Sequence, residues 1–188
     1  MPASVLDFWF REIDPKLWWV HDPSFDEAIR TRFGALLERA AAGELYPWRT
    51  TTRGRLAEII VLDQFSRNIH RDTPRMFAQD AAALVLSQEA VAAGALAALE
   101  LAERAFLLMP YMHSESRAIH AVAEALFREH APKNFEFELK HKAIVDRFGR
   151  YPHRNAVLGR TSTPEELEFL TQPGSSFRGI DRSAKRPV

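Results

Sequence analysis

Asp63 and Arg67 are the first residues whose types and spacing suggest chemistry. They lie four residues apart in the run LAEIIVLDQFSRNIHR, which predicts a helix over about 53–71. At about 100° per residue, the apolar stripe of Leu56 and Ile60 continues into this pair. A charged pair on a core-facing stripe must be ion-paired or line a polar cavity, because an isolated buried charge is costly. The pair is therefore either a buried ion pair between helices or part of a ligand site.

A histidine lies on the apolar face of another predicted helix, over about 135–148. Phe137, Ile144 and Val145 belong to this face, and His141 lies in its middle. A histidine in that position either bonds a buried partner or lines a pocket. A lone histidine on an apolar face more often bonds a buried partner than lines a pocket. The residues after this helix are therefore needed to judge whether His141 belongs to a site.

A basic turn, GRYPHRNAVLGR at 149–160, follows that helix and contains Arg150, Arg154 and Asn155. Six Lys or Arg accompany one Asp across 140–160, although the whole chain has 25 basic and 25 acidic residues. Guanidinium groups bind carboxylates and phosphates through paired hydrogen bonds. The turn therefore predicts an anion site, with an unspecific surface cluster as the alternative, since the chain has no glycine-rich phosphate loop.

His113 and Glu115 lie at the start of a further predicted helix, where loops and helix ends converge on sites. His113 or His141 could act as a general acid or base, oriented by Asp63 or Glu115. A metal version would use His113, Glu115 and His141 as ligands, but the helical H-E-x-x-H pattern is missing. We therefore predict no metal and no cofactor.

Composition narrows the class of protein. The 188 residues, of which 46% are hydrophobic and 27% charged, predict a globular domain with a real core. Balanced charge provides no field for nucleic acid or an anionic membrane. The chain has no cysteine, which excludes disulfides and thiolate metal sites. Asp7 and Arg11 interrupt the first apolar run, so we predict neither a signal peptide nor a membrane span. A cytoplasmic protein without nucleic-acid or membrane partners is expected.

Caps and helix breakers predict an all-α fold of about seven helices. Pro110 is expected to end the helix that precedes His113. The stripe that contains His113 and His120 is expected to be an outer face of the next helix. The polar tail from residue 172 to 188 is predicted to be mobile or loosely docked, with Phe177 as its docking residue, which leaves 1–171 as the helical domain. Predicted helices span about 5–13, 24–43, 53–71, 74–94, 96–109, 113–130, 135–148 and 164–170.

Four segments stand out as a set: VLDFWF at 5–10, LDQFSRNIHR at 62–71, PYMHSE at 110–115 and RFGRYPHRNAVLGRTSTPEE at 147–166. Together they resemble the bacterial DUF924 family, which is named for its unknown function. The family is placed in the tetratricopeptide-like helical superfamily. The resemblance therefore implies a right-handed array of antiparallel helices and supplies no activity. The family commonly has proline where this chain has Ser66, and a proline there would break the helix before Arg67.

The polar residues of these segments are those that the helical patterns had already indicated. We expect the helix ends near 63–71, 113–117 and 141–155 to converge on one pocket that binds or acts on a small anionic ligand, a carboxylate or a phosphate. The expected catalytic residues are His141, His113, Glu115 and Asp63. The expected binding residues are Arg67, Asn68, Arg150, Arg154 and Asn155.

Two other interpretations remain. The protein could be an interaction module whose helices hold a peptide or an acidic segment of a partner. The polar cluster could also be an ion-pair network that only holds helices together. An enclosed pocket shared by the histidines favours the small ligand, whereas arginines strung along an open groove favour the peptide. Whether the protein is an enzyme is left open by the sequence.

Overall fold

The computed structural model describes residues 1–176 and the backbone of 180–181. The predicted all-α class is confirmed. The proposed docking residue of the tail, Phe177, lies outside the described residues. The helices are α1 Pro2–Asp7, α2 Pro23–Ala41, α3 Thr52–Ile60, α4 Ser66–Ile69, α5 Asp80–Ala92, α6 Leu101–Met112, α7 Arg117–His130, α8 Phe135–Phe148 and α9 Pro164–Leu170.

The core is built around aromatic side chains from the N-terminal segment. A π-helical turn, Phe8–Glu12, continues α1 and buries Phe8 and Trp9. The Trp9 ring meets Phe65 and Phe106 edge to face at 5.6 and 5.5 Å between centroids. Such aromatic contacts stabilise a core beyond the area they bury. They fix α1 against the segment that carries Asp63 and against α6.

Helical structure is continuous from Thr52 to Ile69, because a π-helical turn, Val61–Phe65, joins α3 to α4. The single helix predicted over 53–71 is therefore right except for this turn. Ser66 adopts helical geometry, and the break that a proline would cause is not present. A π turn adds one residue to the helical repeat and is often found at functional sites. Here it contains Asp63.

Pro110 does not end its helix, so that prediction is wrong. It lies inside α6, which continues to Met112, and the amide of His113 donates to the carbonyl of Met109 at 3.0 Å. Proline removes one hydrogen bond but leaves the bonds of later residues possible. Burial of Tyr111 and Met112 holds the last turn against the core. The helix therefore ends three residues later than predicted, which places His113 directly at its end.

The face predicted for α7 is also wrong at one residue. His120 is fully buried, whereas Val122, two residues later on α7, is half exposed. The stripe of His113, Arg117 and His120 was expected to face solvent, but α7 packs between α6 and α8 and therefore buries His120 against both. A helix between two neighbours has no simple outer stripe.

From α5 to α8, helices that follow one another along the chain are also neighbours in space. α5 packs on α3 and α6, α6 packs on α7, and α7 packs on α8. The right-handed tetratricopeptide-like arrangement stays a prediction. A short parallel pairing joins Val20–His21, strand β1, to Ile180–Asp181, strand β2. In the described part of the chain, every helix is too short or too polar to cross a bilayer.

Candidate functional site

A cleft of about 960 Å³ lies where α4, α6, α8 and the turn after α8 meet. Its lining includes five of the predicted site residues: Arg67, Asn68, His113, His141 and Arg154. The rest of the lining is largely aromatic and aliphatic. The volume lies within the range of small-molecule sites, about 300–1,000 Å³. The cleft is therefore the place to test the predicted chemistry.

Asp63 and His113 form the ionisable pair at the cleft. His113 caps the end of α6, and its Nδ1 lies 2.8 Å from Oδ1 of Asp63, which is 1% exposed. Arg67 also contacts Asp63, at 3.0 Å, and Gln64 donates to it at 2.6 Å. These donors outweigh the effect of burial and hold the pKa of Asp63 well below its usual range. An ionised Asp63 accepts the proton of Nδ1, which leaves Nε2 of His113 as a base.

His113 itself is neutral at neutral pH. Burial and the nearby Arg67 guanidinium lower its pKa, and the opposing carboxylate of Asp63 does not fully compensate. A neutral imidazole that is held by a carboxylate through Nδ1 has one free lone pair, on Nε2. That lone pair could accept a proton from a ligand or a water molecule in the cleft.

Two guanidinium groups share the carboxylate of Asp80. Arg67 contacts it at 2.9 and 3.0 Å, and Arg154 donates to it at 3.1 Å. Arg154 also donates to the carbonyl of His113 at 2.9 Å. Its guanidinium lies against the rings of Phe77 and Tyr151, 4.5 and 4.6 Å from their centroids. These contacts fix Arg154 beside the Asp63–His113 pair.

Arg154 remains short of negative partners. Its side chain is 7% exposed, and its Nε has no hydrogen-bond partner among the described residues. Burial and the neighbouring Arg67 lower the pKa of its guanidinium. A buried cation with an unmatched donor is costly, and a further anion nearby would stabilise it.

His141 reaches the same cleft from α8. Its Nδ1 lies 2.7 Å from the carbonyl of Phe137, one helical turn earlier, so Nδ1 carries the proton. Burial holds the pKa of His141 well below its usual value. Its ring meets Tyr151 edge to face at 5.8 Å between centroids. The sequence offered two alternatives for His141, a hydrogen bond to a buried partner or a place in a pocket wall. The structure combines them, because His141 bonds the Phe137 carbonyl and also lines the cleft.

Glu115, Arg150 and Asn155 belong to a different cluster. Glu115 accepts the amide of Tyr151 at 2.6 Å and pairs with Arg160 at 2.7 and 2.9 Å. Arg150 forms two hydrogen bonds to Glu166, at 2.6 and 2.8 Å, and Asn155 donates to the same carboxylate at 3.2 Å. These residues do not line the cleft. We call the group of Glu115, Arg150, Asn155, Arg160 and Glu166 the distal cluster.

The metal arrangement considered from the sequence is not assembled. Glu115 faces Arg160 and the Tyr151 amide, and no group of three or more acidic or histidine ligands occurs in residues 1–176. Asn68 lies at the cleft but donates to Asp26 at 2.7 Å, and Arg71 contacts that carboxylate at 2.9 Å. Asn68 therefore orders the edge of the cleft through Asp26.

Comparison with known proteins identifies the family. The model of the family described as bacterial protein of unknown function (DUF924) matches residues 5–174. The chain belongs to this family. A solved structure of a protein of unknown function from Agrobacterium tumefaciens is similar, with 36% sequence identity and a TM-score of 0.86. The match covers 90% of this chain and 96% of the other. Among curated proteins, none matches.

The DUF924 segments thus contribute to two places in the fold. LDQFSRNIHR supplies Arg67 to the lining of the cleft and Asp63 behind it. The segment at 147–166 supplies His153 and Arg154 to the cleft, and its other members of the distal cluster are Arg150, Asn155, Arg160 and Glu166. Sequence reasoning missed Asp80 and Tyr151. Asp80 is an ordinary acidic residue of a helix first turn, and Tyr151 is one aromatic residue in a loop. The sequence contains no periodic signal for either.

Proposed function

We propose that the cleft binds a small organic anion, a carboxylate or a phosphate. The observation that carries the proposal is the charge of the lining, where four Lys or Arg accompany one Asp: Arg67, Arg71, Lys133, Arg154 and Asp72. The carboxylates that hold three of these cations, Asp26, Asp63 and Asp80, lie behind them and are not part of the lining. A ligand in the cleft therefore meets mainly positive charge.

Lys133 strengthens the positive potential at the edge of the cleft. It is exposed and forms no ion pair with any residue of the described chain. Deeper in the cleft, the buried Arg154 guanidinium is under-compensated. An anionic group placed between the two would gain a charge-assisted hydrogen bond in a site of low dielectric.

His113 gives the same site the capacity for acid–base chemistry. Asp63 fixes its tautomer and orientation, as an orienting carboxylate does in many enzymes that use a histidine base. His113 would take a proton from the bound ligand or from a water molecule beside it. The proposal concerns binding and proton transfer and leaves the identity of the reaction open.

The geometry favours a small ligand over an interaction module that holds a peptide. Arg67 and Arg154 converge on one carboxylate, and Arg150 and Arg160 are paired within the distal cluster. They are not strung along a groove as an acidic peptide would require. The cysteine-free sequence is compatible with the cytoplasm as the place where the ligand is met.

Calorimetric titration with matched anionic and neutral ligands tests the proposal. Benzoate and phenyl phosphate are compared with benzamide, which has a similar ring but no charge. We expect both anions to bind and benzamide to bind at least about tenfold more weakly. Arg154→Met should weaken anion binding by roughly 10- to 100-fold, the value of one charge-assisted hydrogen bond of about 1.5–3 kcal/mol.

Arg39→Met is the matched control, because Arg39 is an exposed arginine paired with Glu44 outside the cleft. It removes the same charge and should leave binding unchanged. If Arg154→Met is too unstable to purify, Lys133→Glu replaces it, since Lys133 is exposed. The proposal fails if benzamide binds as tightly as benzoate, or if Arg39→Met weakens binding as much as the cleft variants do.

A further inference from the structure

The apolar part of the cleft has an unusual composition. Three of the four methionines of the chain, Met76, Met109 and Met112, line it. Methionine has an unbranched and flexible side chain, so a wall of methionines adapts to apolar ligands that are themselves flexible. Met109 and Met112 are buried, which places this adaptable surface in the depth of the cleft.

Large apolar side chains remain exposed at the same cleft. Trp19 is 50% exposed, Leu101 51% and Phe137 52%, and all three line it. An exposed apolar patch beside a cleft indicates a surface that another apolar group covers. Trp19 and Phe137 come from different parts of the chain, the segment before β1 and helix α8.

Several aromatic rings of the cleft already have a neighbouring ring or a cation against them. Trp19 is stacked on Phe106, with 15° between the ring planes and 5.9 Å between centroids. The Arg154 guanidinium lies against Phe77 and Tyr151. Flat ligands need free ring faces, whereas an alkyl chain packs against ring edges and methionine side chains. The available surface therefore suits an alkyl chain better than a second aromatic stack.

The volume of the cleft excludes an inorganic ion as its full occupant. One water molecule occupies about 30 Å³ in the liquid, so a phosphate or sulfate ion would fill a small part of 960 Å³. The remaining space is bordered by apolar side chains, from which water is readily displaced. The occupant must therefore contain a substantial apolar body in addition to its charge.

We infer that the ligand is a single-chain alkyl carboxylate, taken up as a free monomer, with its carboxylate toward Arg154 and Lys133 and its chain along the methionine and aromatic wall. This inference rests on the proposed function, because the cationic lining holds the carboxylate. It adds the class of ligand and the role of the apolar wall. The two parts can be tested separately, since chain length and charge vary independently.

Titration with saturated carboxylates of increasing length tests the chain. Butanoate, hexanoate, octanoate and dodecanoate are compared below the concentrations at which they form micelles, and octan-1-ol is compared with octanoate. We expect the affinity to rise about fourfold for each methylene that enters the cleft. Octan-1-ol should bind at least about tenfold more weakly than octanoate.

Trp19→Ala and Tyr46→Ala form the matched pair of variants. Both residues are exposed aromatics, 50% and 66%, but only Trp19 lines the cleft. Trp19→Ala should weaken dodecanoate binding by roughly tenfold and leave butanoate binding nearly unchanged, because only the longer chain reaches the wall. Tyr46→Ala should change neither. Both substitutions are at exposed positions, so the variants are expected to fold.

Each outcome decides between the claims. If butanoate binds as tightly as dodecanoate and Arg154→Met still weakens both, the chain inference is overturned and anion binding stands. If phenyl phosphate binds but no carboxylate does, the chain inference is overturned and anion binding stands, and if neither binds, both fail. If Tyr46→Ala weakens dodecanoate binding as much as Trp19→Ala, the chain binds unspecifically and the inference is overturned. Binding to phosphatidylglycerol vesicles without binding of monomeric carboxylates would assign the surface to a membrane and also overturn it.

Discussion

Two histidine–carboxylate pairs occur within a few residues of each other, and they differ mainly in what surrounds them. His113 lies 2.8 Å from Asp63, and His120 lies 2.7 Å from Glu138. The first histidine side chain is 16% exposed at the cleft, whereas both members of the second pair are 0% exposed. The same kind of histidine–carboxylate pair therefore occurs once at the cleft, where a ligand could contact it, and once in the protein interior.

The second ring nitrogen makes the difference clear. Nε2 of His120 lies 2.9 Å from the carbonyl of Ser114 and 3.1 Å from the hydroxyl of Tyr151, which itself donates to the carbonyl of Met112 at 2.6 Å. Nε2 of His113 makes no hydrogen bond within the described residues. We call His120 and Glu138 the sealed pair, and His113 and Asp63 the cleft pair. The sealed pair joins α6, α7 and α8, while the cleft pair keeps one ring nitrogen available for chemistry.

The largest expected effect is on stability, at the sealed pair. Glu138→Ala leaves a buried histidine without its partner, and we expect the free energy of unfolding to fall by about 3–5 kcal/mol. Urea denaturation at pH 7 measures it. Glu129→Ala, at an exposed position of α7, should change the stability by less than about 0.5 kcal/mol. A loss at Glu138 as small as that at Glu129 would remove the structural role assigned to the sealed pair.

The two pairs should also respond to pH with opposite signs. Burial lowers the pKa of His113 in the folded protein. As the pH falls below about 6.5, the unfolded chain therefore takes up the proton before the folded protein does, and stability is lost. Burial raises the pKa of Glu138, so the folded chain holds that proton longer, and stability is lost as the pH rises from about 4.3 through its folded pKa.

Urea denaturation between pH 4 and 7, at about half-unit steps, measures these slopes. His113→Gln should flatten the acid loss by up to about 1.4 kcal/mol per pH unit, because one proton no longer distinguishes the two states. Glu138→Gln should steepen it, because the opposing contribution is removed. Parallel curves for the wild type and both variants would contradict the assigned pKa directions.

Much of the fold could be predicted from local signals. The capping box of Thr163 and Glu166 and the left-handed Gly149 lie where the sequence placed a helix start and a helix end. Pro110 was misjudged because a proline breaks a helix only when the surrounding packing does not hold the next turn. The π turn at Val61–Phe65 had no sequence signal, since its five residues, VLDQF, also fit an ordinary α-helix.

The site was predictable in its chemistry and less so in its geometry. Asp63, Arg67 and His141 stood out because charge or imidazole interrupted an apolar stripe. The sequence could not separate Arg154 from Arg150, because both lie in one basic turn, and their carboxylate partners come from α5 and α9. Such partners are set by tertiary packing, which a local pattern does not contain.

Histidine titration by NMR tests most directly whether the cleft pair, and not the sealed pair, faces a ligand. The ring ¹⁵N shifts of His113 and His120 are followed against pH with and without octanoate. We expect Nδ1 to carry the proton of His113 at pH 7, and octanoate to raise the pKa of His113, because a nearby anion favours the imidazolium. The shifts of His120 should not respond. Octanoate that shifts His120, or leaves His113 unchanged, would contradict the account.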